Sequence, residues 1–209
     1  PLNTKEQSSL LGLLEDRQFD LLVVSDYGKG LLPESMLSKI AKIAEVKGAF
    51  TVVDPKAKDL SRYNFCNLIT PNEREAYNSL GLEYGYVEED PRNLGKALQD
   101  KFKLKNILIT LGNKGMIYFP ENQKESPTWK RSEATRVYDV SGAGDTVVAS
   151  ISLSLMHNYS IDDALDLSNL AASVVVSKSG TAPIKRKELQ EAILLKTNKK
   201  VKLSDALGK

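Results

Sequence analysis

The chain has 209 residues, 41% hydrophobic and 27% charged, which is ordinary for a globular protein long enough to bury one sizeable core. The formal net charge is +2 and no apolar run approaches the roughly 18 to 20 residues of a membrane span, so we expect neither nucleic acid nor a membrane as a partner. A single cysteine, Cys66, excludes an internal disulfide and suits the cytoplasm, and a single histidine, His157, excludes multi-histidine metal sites.

Short apolar runs alternate with helical patterns along the chain. The predicted strands cover residues 19–24, 50–53, 67–70, 106–110 and 116–119, and a further β-like run covers 135–138. The predicted helices cover residues 1–16, 33–48, 73–81, 91–102, 147–156, 161–179 and 187–195. This alternation indicates βαβ units, and therefore a mostly parallel sheet with helices on both faces.

Three segments do not fit that alternation. The first helical pattern has no strand before it, so we expect the chain to be a piece that begins inside a domain. The polar segment 122–133 predicts a hairpin or a surface loop. Residues 196–209 include five lysines, and we expect a solvated tail or linker there rather than a nucleic-acid site.

Polar residues and glycines cluster where the predicted strands end. They are Asp26, Lys29, Asp54, Lys56, Asn72, Glu75, Thr110 and Gly112. In parallel sheets ligands bind beyond the carboxyl ends of the strands. The sequence therefore predicts one ligand site at this edge of the sheet.

The segment 139–146 predicts the centre of that site. Gly142 and Gly144 let the backbone turn tightly, and the helix that follows adds unpaired N–H groups and the positive end of its dipole. Such a turn is typical of a phosphate site. Asp145 would repel phosphate unless it accepts a proton from an attacking hydroxyl. The alternative is that Asp145 is only the N-cap of the helix.

Two further groups leave alternatives open. Asn72 and Glu75 are three residues apart at a helix start, so they either hold the water shell of Mg²⁺ or form a capping box. Lys29 and Lys56 either neutralise phosphate or are solvated loop lysines. The glycines after Thr110 either approach a nucleotide or form a hairpin turn. The phosphate-loop and dinucleotide-binding glycine patterns are absent from the sequence.

These clusters, in this order, resemble the ribokinase-like, or phosphofructokinase-B, family of carbohydrate kinases. Residues 139–145 are similar to the second signature of that family, with Val140 in place of the usual Thr. Asn72-x-x-Glu75 resembles its Mg-phosphate motif, and residues 110–115 resemble its nucleotide loop. The resemblance implies a three-layer α/β/α fold with a mostly parallel central sheet, here without the N-terminal strands and the β lid.

The resemblance also implies roles for single residues. Asp145 would be the catalytic base, and Gly142, Ala143 and Gly144 would form the anion hole. The remaining roles concern the nucleotide, the ions and the phosphates. Asn72 and Glu75 would hold Mg²⁺ and the ATP phosphates. The residues along the nucleotide would be Glu73, Arg74, Thr110, Gly112 and Asn169. Asp139 would lie near a monovalent cation such as K⁺, and Lys29 and Lys56 would contact phosphate.

Residues 25–30, 53–56, 70–75 and 180–183 are similar to the D-glycero-β-D-manno-heptose-7-phosphate kinase branch. That branch phosphorylates the anomeric hydroxyl in ADP-heptose and lipopolysaccharide biosynthesis. We therefore expect a kinase domain over 1–195 and a tail or linker over 196–209, with homodimer formation and a fused nucleotidyltransferase in the full-length protein. The alternatives are another carbohydrate kinase of the same family, or a nucleotide-binding fragment that is inactive without its N-terminal part.

Overall fold

The computed structural model describes residues 2–84, 90–134 and 136–207. Its centre is a six-stranded sheet in the order β1-β2-β3-β4-β5-β6. The strands are β1 Leu21–Ser25, β2 Phe50–Asp54, β3 Leu68–Ile69, β4 Asn106–Thr110, β5 Met116–Phe119 and β6 Thr128–Lys130. Strands β1 to β4 are parallel, whereas β5 and β6 run antiparallel to their neighbours. The sheet is therefore mostly parallel, as predicted.

Seven α-helices connect and cover these strands in the described part of the chain. They are α1 Thr4–Asp16, α2 Glu34–Lys47, α3 Glu73–Leu80, α4 Pro91–Phe102, α5 Ala143–Met156, α6 Ile161–Val176 and α7 Arg186–Leu207. Short 3₁₀ helices cover Leu60–Tyr63 and Gly112–Lys114. Across the described ranges, no helix has the combination of length and apolar character that crossing a membrane requires.

Alternate residues of each strand enter different hydrophobic cores. Val53, Ile69 and Ile107 pack with α1 to α4 on one face of the sheet. Their neighbours Val52 and Leu68 pack with α5 and α6 on the other face. Because both faces of a parallel strand are covered, its apolar residues form a continuous run rather than an alternating one. The predicted three-layer α/β/α architecture is confirmed.

Of three less regular predicted segments, two differ from the structure. The β-like run 135–138 is wrong for its described part, because residues 136–138 form no strand and the Tyr138 N–H donates to the carbonyl of Val176 at 2.8 Å. Thr135 lies outside the described residues. The polar segment 122–133 contains β6, which pairs antiparallel with the preceding strand β5, so the hairpin alternative for this segment is confirmed. Helix α7 continues to Leu207, so the segment expected to be a tail is helical, and the boundary at 195 stays a prediction.

Gly95 marks the closest approach between a helix and the sheet. A Cβ atom built on Gly95 in α4 would lie 2.3 Å from ring carbons of Phe119 in β5. We expect Gly95→Ala to lower the free energy of unfolding by about 1–3 kcal/mol, because the ring must move within a packed core. Gly12→Ala in α1 is the matched control, since its Cβ would meet nothing within 4 Å.

We expect Gly12→Ala to raise the free energy of unfolding by up to about 1 kcal/mol through helix propensity. Urea denaturation of the two variants measures both changes. An equal gain in stability from both substitutions would contradict the packing assigned to Gly95.

Candidate active site

A cavity of about 190 Å³ lies at the carboxyl edge of the sheet. Its lining comes from the ends of β2, β3 and β4, from the loop after β1 and from the N-terminal parts of α3 and α5. The lining residues are Tyr27, Asp54, Lys56, Thr70, Asn72, Glu75, Thr110, Gly144, Asp145 and Val148. The structure therefore brings Asp54, Lys56, Asn72, Glu75 and Thr110 of the strand-end pattern together with Gly144 and Asp145 of the predicted phosphate turn.

The turn before α5 depends on Gly142, which is the N-cap with φ 79°, a conformation that glycine adopts without steric cost. Ahead of it, the Asp139 carboxylate accepts the Ser141 N–H at 2.8 Å. The Ala143 N–H donates to the Val140 carbonyl at 3.2 Å, so the predicted anion hole loses part of one donor. The N–H groups of Gly144 and Asp145 lie in the first turn, where a helix leaves its amides without intrahelical acceptors.

Gly144 has a different role from Gly142. Its backbone is helical, and a Cβ built on it would meet nothing within 4 Å. The protein itself therefore does not require glycine at 144. The open space beside Gly144 belongs to the cavity, where a side chain would shield the amides of the first turn from a ligand.

Asp145 is not the N-cap of α5, which removes the structural alternative for this residue. It is the third residue of the helix, behind Ala143 and Gly144. Its side chain is exposed and lines the cavity. Within the described ranges the structure gives the Asp145 carboxylate no hydrogen bond and no ion pair. It is therefore available to accept a proton.

Asn72 and Glu75 form the capping box at the start of α3, and they also line the cavity. The Glu75 N–H donates to Asn72 Oδ1 at 2.9 Å, and the Asn72 N–H donates to Glu75 Oε2 at 2.9 Å. The second oxygen of Glu75 accepts a hydrogen bond from Lys56 Nζ at 2.5 Å. The capping alternative is confirmed, and it orients Glu75 toward the cavity rather than away from it.

Lys56 lies among three carboxylates. Burial disfavours its charge, but the hydrogen bond that it donates to Glu75 and the fields of Asp54, Glu75 and Asp145 outweigh burial and raise the pKa of the lysine. Burial raises the pKa of Asp54 to about 6, opposed by Lys56 and reinforced by Glu75 and Asp145. One lysine is too few to neutralise this cavity when all three carboxylates are ionised.

The oxygen atoms of the side chains that line the cavity decide how a metal could bind. Across the part of the chain that the structure describes, no three His, Cys, Asp or Glu side chains converge closely enough to hold a metal ion. Glu75 and Asn72 nonetheless present oxygen atoms in an electronegative cavity. This set fits Mg²⁺, which keeps several of its waters and takes few protein ligands.

Four residues predicted to lie along the nucleotide do not line this cavity. Glu73 is buried and accepts hydrogen bonds from Lys114 Nζ at 3.1 Å and the Tyr84 hydroxyl at 3.2 Å. The Arg74 guanidinium lies 5.5 Å from the centre of the Tyr84 ring. Gly112 is exposed at the start of a 3₁₀ helix.

Asn169 is the fourth of these residues, and it is buried in α6. Its amide donates to the Arg131 carbonyl at 2.6 Å. Asn169 therefore fixes the loop after β6 in this structure. The nucleotide roles of Glu73, Arg74, Gly112 and Asn169 stay predictions.

Lys29 lies apart from Lys56. It lines a second cavity of about 400 Å³ whose other residues are Ser25, Asp26, Tyr27, Leu31 and Leu32. Tyr27 lines both cavities, so the two are neighbours. Asp54 belongs to the strand-end cluster that predicts this site, although the sequence alone gave it no chemical role. Tyr27 was given no role, and it is the site residue that the sequence analysis missed.

Comparison with known proteins decides the family. The chain matches the description "pfkB family carbohydrate kinase" over residues 4–187. The chain belongs to the pfkB family. A bifunctional protein HldE of Campylobacter fetus subsp. fetus is 40% identical over 164 residues, covering 78% of this chain and 35% of the relative. A bifunctional protein HldE of Desulfatibacillum aliphaticivorans is 41% identical over 176 residues, covering 83% and 35%.

Solved structures of the pfkB and ribokinase type share the fold. Phosphofructokinase-2 from Escherichia coli in complex with potassium matches with a TM-score of 0.79 at 21% identity, over 91% of this chain and 62% of that one. Ribokinase from Arabidopsis thaliana complexed with ribose and ATP matches with a TM-score of 0.70 at 23% identity, over 88% and 58%. Of the two HldE relatives, by contrast, the chain spans only about a third of the length.

The raised pKa of Asp54 predicts how stability depends on pH. The folded state holds the proton of Asp54 up to about pH 6, whereas the unfolded state loses it near 3.8. Its contribution to stability is therefore fully present below pH 3.8 and is lost as the pH rises through about 6. We expect Asp54→Asn to become progressively more stable relative to the unmodified chain between pH 4 and 7.5, measured by denaturant unfolding.

Asp59→Asn is the control of opposite sign. Hydrogen bonds from the side chain and backbone of Ser61 lower the pKa of Asp59, so its carboxylate contributes most at the higher pH. A pH-independent difference for Asp54→Asn would contradict the assigned shift.

Proposed function

We propose that this chain carries the catalytic and nucleotide-binding part of a kinase that transfers the γ-phosphoryl group of ATP to a hydroxyl of a sugar phosphate. The observation that carries the proposal is the position of Asp145. Its unpaired carboxylate lies in the first turn of α5, in one cavity with Gly144, Lys56 and Glu75. This arrangement combines a proton acceptor with donors for a transferring phosphoryl group.

In the proposed mechanism Asp145 takes the proton of the acceptor hydroxyl as that oxygen attacks phosphorus. The amides of Gly142 and Gly144, together with the positive end of α5, hold the negative charge of the moving group, and Ala143 contributes less because its N–H is engaged. Each preorganised donor is worth roughly 3 kcal/mol in comparable sites. Lys56 supplies a positive charge on the opposite wall.

The nucleotide and Mg²⁺ are proposed for the side of the cavity formed by α3 and β4. Asn72 and Glu75 would hold Mg²⁺ through its waters, and the ion would neutralise the charge of the ATP phosphates there. Thr110 lines the same wall. For K⁺ we propose a place near Asp139, and the potassium complex of phosphofructokinase-2 from Escherichia coli supports a monovalent ion in this fold.

For the acceptor we propose D-glycero-β-D-manno-heptose 7-phosphate, phosphorylated at its anomeric hydroxyl in ADP-heptose biosynthesis. The support is the resemblance of residues 25–30, 53–56 and 180–183 to that branch, together with the HldE relatives. Because those relatives are named bifunctional, we also propose a fused nucleotidyltransferase in the full-length protein. Homodimer formation and a cytoplasmic location remain part of the same proposal.

One observation favours a second candidate, a nucleotide-binding module that does not turn over sugar. The chain spans 62% of phosphofructokinase-2 and 35% of an HldE relative, so acceptor contacts of those proteins can lie outside the matched part. Thermal unfolding with Mg-ATP alone, and with Mg-ATP plus sugar phosphate, separates the two candidates. Stabilisation by the nucleotide only would favour the binding module.

Asp145→Asn tests the proposed mechanism directly. We expect turnover of the full-length gene product to fall by roughly 10²- to 10⁴-fold, the usual contribution of a general base. The affinity for Mg-ATP should stay within twofold, since Asp145 is assigned to the acceptor hydroxyl. A coupled assay of ADP release with a panel of sugar phosphates measures turnover, and calorimetry measures nucleotide binding.

Asp163→Asn is the matched control. Asp163 is the third residue of α6 just as Asp145 is the third residue of α5, but it accepts a hydrogen bond from Ser160 and does not line the cavity. Asp163→Asn should therefore leave turnover unchanged. Equal turnover of Asp145→Asn and the unmodified protein would remove Asp145 from the role of base.

A further inference from the structure

The segment 26–32 forms the wall between the two cavities. Tyr27 lines both of them, and Lys29, Leu31 and Leu32 line only the larger one. The larger cavity combines the apolar side chains of Leu31 and Leu32 with one lysine and with the Asp26 carboxylate. The oxygens of Asp26 are already engaged by donors from Gly28 and Tyr63, so Lys29 is left to meet a ligand that carries carbon surface and negative charge. The conformation of this segment therefore determines the shape of both cavities.

The first end of the segment is fixed by a buried carboxylate. Asp26 is 5% exposed, and its two oxygens have different donors. Oδ1 accepts the Gly28 N–H at 2.8 Å, and Oδ2 accepts the Tyr63 hydroxyl at 2.5 Å. The Asp26 N–H also donates to the Asp54 carbonyl at 3.0 Å. A buried carboxylate with this many donors can hold only a narrow range of backbone conformations.

The second end of the segment is fixed by the residue next to Tyr63. The Arg62 guanidinium donates to the Leu32 carbonyl at 2.5 Å. Arg62 and Tyr63 both belong to the 3₁₀ helix Leu60–Tyr63, in which the Leu60 and Tyr63 side chains are fully buried. One short, well-anchored helix in the β2–β3 connection therefore holds both ends of the segment 26–32.

The middle of the segment packs against the first cavity. Gly28 has φ 66°, and a Cβ built on it would lie 3.4 Å from the Cβ of Lys56. A shift of the segment at Gly28 would therefore press on Lys56, which donates a hydrogen bond to Glu75. The arrangement connects the larger cavity with the charges of the smaller one.

We propose that Tyr63 and Arg62 are positioning residues that hold the segment 26–32 in the conformation that binds the acceptor sugar phosphate. This rests on the proposed function, because the acceptor is the ligand assigned to these cavities. Neither residue touches the cavities itself. Tyr63 acts through Asp26 and Gly28, and Arg62 acts through Leu32.

Tyr63→Phe is the sharpest test, since it removes one oxygen atom and keeps the ring. In the full-length gene product we expect the KM for the sugar phosphate to rise roughly tenfold to a hundredfold, the loss associated with one hydrogen bond to a charged group. The turnover number should change by less than about twofold, because the turn and helix that carry Asp145 are untouched. The KM for Mg-ATP should rise less than the KM for the sugar phosphate, because the segment 26–32 reaches Glu75 only through Lys56.

Tyr118→Phe is the matched control. The Tyr118 hydroxyl donates to Asn106 Oδ1 at 2.7 Å, far along the sheet from the segment 26–32. Tyr118→Phe should therefore leave the KM for the acceptor unchanged. Asp26→Ala adds a second check, because it removes both oxygens that accept hydrogen bonds. If Tyr63 acts through Asp26, then adding Tyr63→Phe to Asp26→Ala should raise the KM no further.

Two results would overturn the proposal: an unchanged acceptor KM in Tyr63→Phe, even with lower stability, or an equal rise in Tyr118→Phe. If the unmodified protein phosphorylates no sugar phosphate, the proposed function fails instead. Hydrogen exchange of the Gly28 amide in this chain then decides the positioning role. Exchange at least tenfold faster in Tyr63→Phe supports that role, and unchanged exchange contradicts it.

Discussion

The side chain of Glu75 connects the helix layer to the sheet edge at the point where the candidate site lies. One of its oxygens completes the capping box of α3, and the other accepts the hydrogen bond from Lys56, which follows β2. A single carboxylate thereby fixes the start of a helix, the exit of a neighbouring strand and one wall of the cavity. Because Glu75 is only 17% exposed, its charge depends on Lys56 for compensation.

The rest of the cavity follows from the charge balance around that pair. Asp54 and Asp145 add two more carboxylates to the one lysine, and burial raises the pKa of Asp54 to about 6. A phosphate would be repelled by such a set unless a cation accompanies it. The N-terminus of α5 faces the same space and offers amides to an anion. The cavity therefore suits a ligand that brings both phosphate and a divalent cation.

Much of this arrangement could be predicted from the sequence because it depends on local patterns. Helix α4 has the predicted bounds, since Asp90, Pro91 and the apolar spacing specify its start and its face. Strand β4 also has the predicted bounds. The rule that ligands bind at the carboxyl ends of parallel strands predicts that Asp54, Lys56 and Glu75 share one site, and the glycine turn before α5 adds Asp145 to it.

The failures concern properties that the local sequence does not contain. Residues 136–138 have β-like composition but form no strand, because Tyr138 pairs with the end of α6. Glu73 and Glu75 are two residues apart on one helix, so they face different sides, and only the tertiary contacts show that Glu73 meets Lys114. The pKa of Asp54 depends on burial by distant segments.

The most direct test of the account is calorimetry of Mg-ATP binding to Glu75→Gln and Glu75→Ala. Gln can replace Glu in a capping box but not in the pair with Lys56. Glu75→Gln should therefore keep more of the stability than Glu75→Ala, and both variants should bind Mg-ATP at least tenfold more weakly. Unweakened binding of Mg-ATP by Glu75→Gln would contradict the account.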